Sequence, residues 1–127
     1  MSAPGNPEPL PPASWFASGE IKRQKFDAYM LSPTHSEGKH KLRLWESIFG
    51  IGVGDGAYLE QLIREQVVHG VVSERAPRED TRRFGVMIED FKGPSGRGPV
   101  LTAWASGHGG YREQKPRLVT AFPVVVQ

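Results

Sequence analysis

The stretch RFGVMIEDFKGPSGRGPVLTAWAS, residues 83–106, decides the fold. Phe84, Val86 and Ile88 recur every second residue, the rhythm of a strand that buries one face. GPSGRG is a tight connection and PVLTAWAS returns, so the segment reads as a β-hairpin with a longer loop. Downstream, the run from Arg117 to Val126 reads as a final strand, with Leu118, Ala121 and Val124–Val126 apolar and Arg117 and Thr120 polar. Upstream of the hairpin, VVSERA after Gly70 is a further strand candidate.

Before Gly70 the period changes to that of helices. Phe26, Tyr29 and Met30 follow an i, i+3, i+4 spacing, which predicts a short helix over 22–31 that ends before Pro33. Leu42, Trp45, Ile48 and Phe49 share one face of a second helix over 37–49, closed by Gly50. GIGVGDG is an inter-helix loop, and Asp55 is placed to cap a third helix that runs to about His69. Helices first and an antiparallel sheet afterwards predict an α+β fold, with two to three N-terminal helices packed on a three- to four-stranded antiparallel sheet.

The chain has 127 residues, room for one domain. Its first twelve residues, MSAPGNPEPLPP, hold five prolines and one bulky apolar residue, Leu10. Such a segment buries too little surface to offset its ordering entropy. Residues 1–14 are therefore expected to be a disordered Pro-rich tail, and 15–127 a single domain. There is no cysteine, which excludes disulfides and thiolate metal sites. No apolar run approaches the ~18 residues of a membrane span, and the start lacks the pattern of a signal peptide. A soluble chain acting in the cytoplasm is expected, with no membrane partner.

The formal charge is only +2, but the basic residues cluster. Lys22, Arg23 and Lys25 form one group; Lys39, Lys41 and Arg43 a second; Arg75, Arg78, Arg82 and Arg83 a third; Arg112, Lys115 and Arg117 a fourth. Local basic clusters on a balanced chain fit a polyanion-binding face. GIGVGDG is neither a dinucleotide fingerprint nor a phosphate loop, because it follows a helix and no lysine-serine or lysine-threonine pair comes after it. His35 and His40 are five apart, which does not set two imidazoles on one helical face, so no metal and no cofactor are expected.

What remains is a set of proton carriers and cations. An imidazole at the entrance of the second helix, His35, can move a proton near neutral pH. Lys41 lies one to two turns further on and could stabilise a five-coordinate phosphate. Arg117 and Thr120 differ by three, so they face opposite ways on a regular strand and share a site only if the strand bulges. Thr102 is a further hydroxyl, and Trp104, on the same strand face, could stack on a base.

The segment from Tyr29 through Ser32-Pro33 to His35, Gly38, Lys41 and Trp45 resembles an uncharacterised bacterial family. The Gly93-Pro94-Ser95-Gly96 hairpin, Thr102-Ala-Trp104 and the closing Arg117–Pro123 are similar to that family's second half. The likeness spans about 21–123. The order of elements and the ending also resemble the barnase, EndoU, colicin and RelE-like ribonuclease toxins. That resemblance implies a metal-independent endoribonuclease in which His35, Lys41, Arg117 and Thr120 are catalytic. Lys39, His40, Arg43, Thr102 and Trp104 are then expected to contact RNA, transfer RNA being one substrate considered. The family's proline after the histidine is Ser36 here, and His40 is an alternative acting imidazole. The resemblance implies a cognate immunity or antitoxin protein as partner, and the domain could be the C-terminal part of a larger secreted toxin. The competing expectation is a non-catalytic interaction module, either immunity-type or a nucleic-acid-binding adaptor.

Overall fold

The structure is a computed structural model that describes residues 9–108 and 110–125. Helical segments come first: α1 (Ala13–Ala17), a wide π-type turn at Phe26–Met30, α2 (Gly38–Leu44) continuing into a second π-type turn at Trp45–Phe49, and α3 (Gly56–Gln66) ending in a 3-10 turn at Val67–His69. Four strands follow: β1 (Val71–Arg78), β2 (Thr81–Lys92), β3 (Arg97–Gly107) and β4 (Arg117–Pro123). They pair antiparallel in the order β1-β2-β3-β4, so the expected α+β architecture is the one observed. No helix among the described residues is long and apolar enough to cross a membrane.

Phe84, Val86 and Ile88 of β2 and Val100, Thr102 and Trp104 of β3 are buried on the face that meets the helices. From the helical half, Phe16, Phe26, Met30, Trp45, Phe49, Leu59, Ile63 and Val67 close over them, all fully buried. Removing each such side chain from water contributes about 1.5–3 kcal/mol. Aromatic edges tie the layers together, as where Phe49 meets Phe91 at 5.3 Å between ring centroids. The π-type turn that continues α2 stops where the helical face runs out, at Gly50, whose φ of 74° is the left-handed geometry that favours glycine.

Two irregularities in the sheet set which side chains face which way. Between Ile88 and Phe91 the register with β3 shifts, so Phe91 is buried although it lies three residues after Ile88. Between Ala103 and Trp104 the register with β4 shifts as well: Leu118 opposes Trp104 and Thr120 opposes Ala103, leaving Val119 extra. Leu118 and Ala121 therefore both face the core, three residues apart. Arg117, opposite Ala105, and Thr120, opposite Ala103, both belong to the other face.

The two sheet edges differ. β1 is exposed along nearly its whole length, and its pairing breaks between Arg75 and Arg78, where Pro77 removes a donor. β4 is covered. Its Ala121 N–H donates to the Met30 sulfur at 3.2 Å, and its start pairs in parallel with the chain at Glu20, through Leu118 N–H to the Glu20 carbonyl at 2.9 Å.

Three expectations need correction. Residues 1–8 lie outside the described residues, but α1 begins at Ala13, inside the expected tail, because Phe16 anchors it in the core. Asp55 does not cap α3 with its side chain; its carboxylate instead accepts the Gly52 N–H at 2.8 Å and closes the loop. The last strand ends at Pro123, and of the valines expected to extend it, Val126 lies outside the described residues.

Candidate functional site

Ser32 ends the Phe26–Met30 turn and starts a tight one, its hydroxyl accepting the backbone N–H of Thr34 and of His35 at 3.3 and 3.2 Å. That turn aims the His35 ring back at the chain. Its Nδ1 accepts the backbone N–H groups of Glu37 and Gly38 at 3.1 and 3.0 Å, capping the start of α2. A neutral imidazole that accepts at Nδ1 carries its proton on Nε2. The ring therefore presents a donor outward, not a free base.

Gly38 brings α2 against the preceding turn. A Cβ there would stand 1.8 Å from the Tyr29 carbonyl oxygen. This close approach sets Tyr29 between the two residues expected to act. Its ring meets the His35 ring edge-on at 4.7 Å between centroids, and its phenol oxygen accepts a hydrogen bond from the Lys41 ammonium. Lys41 Nζ also stands 5.4 Å from the centroid of the Phe122 ring on β4. Phe122 pairs with Leu101 on the same sheet face as Thr120 and Arg117. Imidazole, phenol and ammonium from three segments thus gather at one end of β4.

Thr120, two residues from Phe122, is half-buried, and its hydroxyl oxygen is buried without a hydrogen-bond partner among the described residues. Arg117 stands further along the strand. Five residues separate it from Phe122, about 15 Å on an extended strand. The bulge left open by the sequence is present and puts Arg117 and Thr120 on a shared face. Arg117 lies among other cations there, in a cavity of about 570 Å³ that Arg75, Arg78, Arg83 and Ala105 also line.

Lys39, His40 and Arg43 are exposed on the outer side of α2. Thr102 and Trp104 are misassigned as RNA contacts. Trp104 is 1% exposed, packs on Phe16 at 5.4 Å, and donates its indole N–H to the Thr102 hydroxyl at 2.8 Å. Thr102 is fully buried and in turn donates to the Val86 carbonyl. Both serve the core, because β3 turns its 100, 102, 104 side to the helices.

Two features escaped the sequence reading. Tyr29 was visible in a helical spacing and at the start of the family-like segment, and neither says what its phenol oxygen meets. The arginines at 75 and 83 were visible as a charge cluster, but their alignment with Arg117 depends on strand register. Some charges elsewhere are paired. Arg82 grips Glu74 through two bonds of 2.9 and 2.8 Å, which lower the glutamate's pKa below its ordinary value.

The chain belongs to the family described as DUF6883, a domain of unknown function, whose model matches residues 16–125. No curated protein and no solved structure matches it.

Proposed function

We propose that this domain is a metal-independent endoribonuclease acting in the cytoplasm as a bacterial toxin, with the cluster of Tyr29, His35 and Lys41 as its reacting centre. One observation carries the proposal: side chains that hold and move protons come from separate segments and meet beside an ammonium, on a half-exposed surface. In this reading the Tyr29 oxygen, held by Lys41, takes the proton of a ribose 2′-hydroxyl. The freed oxygen attacks phosphorus, a 2′,3′-cyclic phosphate forms, and the departing 5′-oxygen receives the proton back from Tyr29. His35 donates Nε2–H to a non-bridging phosphate oxygen, and Lys41 neutralises the charge that builds there. Thr120, whose hydroxyl oxygen is buried, shapes the strand face between that centre and Arg117, and Arg117 binds the RNA at a distance along β4. A cognate immunity or antitoxin protein belongs to the same proposal, as does RNA, transfer RNA included, as substrate.

The test is cleavage of a labelled RNA by the full chain in the presence of a chelator, with the product ends analysed for the cyclic phosphate. Tyr29→Phe and Lys41→Ala are each expected to lower the rate by roughly two to four decades. Cleavage at the wild-type rate in both variants, or no cleavage by the wild type at any enzyme excess, overturns the proposal. The second outcome favours a non-catalytic nucleic-acid-binding module, the reading that the exposed arginines would also serve.

A further inference from the structure

Strand register aligns one row across all four strands. Arg75 of β1 opposes Arg83 of β2, Arg83 opposes Ala105 of β3, and Ala105 opposes Arg117 of β4. Three of the four positions carry a guanidinium, over about 14 Å at the usual strand spacing. The fourth is the small residue that leaves a hollow between them. Arg78 completes the wall of the cavity, against a single carboxylate, Glu79.

Like charges directly opposite each other on neighbouring strands destabilise a sheet. None of these four arginines forms an ion pair among the described residues, whereas Arg23, Arg64, Arg82 and Arg97 all do. The repulsion is built in. Gly85, on β2 next to the row, clears the floor: a Cβ there would come within 3.1 Å of the Arg75 Nε. A sequence that breaks a local rule in this way, with small residues beneath and one carboxylate, Glu79, against four guanidiniums, is arranged for an anion from outside.

We infer that the Arg75–Arg83–Arg117 row, with Arg78 beside it, binds the backbone phosphates of a single RNA strand laid across the open face of the sheet. The inference rests on the RNA reading above and extends it to a surface separate from the reacting centre. Arginine suits the task, since its planar fork pairs with phosphate oxygens and also stacks on unpaired bases. The row meets β4 at Arg117, and the same strand face leads through Thr120 to Phe122 and Lys41. One strand of RNA can therefore span both places, the row holding nucleotides that flank the bond to be cut.

The experiment is a salt titration of binding, read by fluorescence anisotropy, using the full chain and a labelled 2′-O-methyl RNA 12-mer. That probe lacks the nucleophile and cannot be cleaved, so binding is measured whether or not the domain is a nuclease. Arg75→Gln/Arg83→Gln keeps the long stems over Gly85 and removes two charges. It is expected to weaken binding tenfold or more and to reduce the slope of log affinity against log salt by about 1.4, roughly 0.7 for each lost phosphate contact. Arg117→Gln, on another strand, is expected to lower the slope by about half as much. Wild-type affinity and slope in both variants overturn the inference, as does equal affinity for a poly-glutamate peptide of matched charge, which would assign the row to an acidic protein. Row-dependent binding by a domain that cuts no RNA leaves the inference standing and removes only the nuclease. Cleavage that ignores the row does the reverse.

Discussion

Replacing Gly38 by alanine sets two effects of opposite sign against each other. In a helix interior alanine is favoured over glycine by about 0.8–1.0 kcal/mol, and at Gly38, the first residue of α2, the gain is smaller. Here, however, the new Cβ would stand 1.8 Å from the carbonyl oxygen of Tyr29, 2.7 Å from its carbonyl carbon and 3.2 Å from the His35 Cβ. The obstacle is backbone, which cannot rotate away as a side-chain tip can. To regain ordinary contact at 3.4 Å, α2 must retreat by 3.4 − 1.8 = 1.6 Å. Overpacking of this kind costs roughly 1–3 kcal/mol, and a clash with backbone belongs near the upper end. The net expectation is a loss of about 2 kcal/mol. For a chain of this length that lowers the melting temperature by about 7 °C. A displacement of that size also separates the Lys41 ammonium from the Tyr29 phenol, and misplacing a reacting group by ~1 Å can cost a hundredfold in rate. Circular dichroism melts and the cleavage assay measure the two effects. Gly110→Ala is the control, since among the described residues no atom beyond its chain neighbours lies within 4 Å of its would-be Cβ and its φ of −69° suits any residue. If Gly38→Ala melts at or above the wild-type temperature with its cleavage rate unchanged, the account of how α2 seats the site is wrong.

Two further expectations concern stability. Glu74 has its carboxyl pKa lowered below 4.5, first by the hydrogen bond from Arg82, against the opposing effect of desolvation. A depressed carboxylate stabilises the fold above its unfolded-state pKa, and that contribution is lost as pH falls through the lower folded value. Glu74→Gln, which leaves the nearly buried Arg82 with a weaker partner, should cost about 1–3 kcal/mol at pH 7. In melts taken from pH 7 downward the gap to wild type should narrow below pH 4.5; a constant gap refutes the linkage. Thr102→Val strands the buried indole N–H of Trp104 and should destabilise by roughly 1–3 kcal/mol. RNA affinity measured on the folded variant should not move, and a large loss of affinity would return Thr102 to the binding surface.

Most of the architecture was legible because burial imposes a period. The i, i+3, i+7 spacing of Leu42, Trp45 and Phe49 and the alternation of Phe84, Val86 and Ile88 each answer to one apolar face. What the periods could not carry was the bulge at Val119. An extra residue on one strand is a fact about the partner strand's register, and it alone decides that Arg117 and Thr120 share a face. The same limit hid the arginine row, whose members lie 8 and 34 residues apart in the chain. Trp104 was misread for a related reason. A tryptophan between small residues fits a stacking platform or a core equally well, and only its neighbours, Phe16 and Thr102, distinguish the two. His35 and Lys41 were found from residue type and spacing, whereas the phenol that joins them was not, because hydrogen-bond geometry leaves no trace in periodicity.

The tie between the first helix and the last strand has a consequence in time. Trp15 donates its indole N–H to the carbonyl of Gln114, 99 residues later, and the chain at Glu20 pairs with the strand just beyond. A ribosome makes β4 last among these elements. Until it emerges, the Met30 sulfur and one edge of β3 have no cover, Lys41 has no Phe122 beside it, and the guanidinium row lacks its end. A nascent polypeptide therefore carries Lys41, Arg75 and Arg83 before the strand that completes their arrangement, and the sheet closes only once translation has passed Pro123.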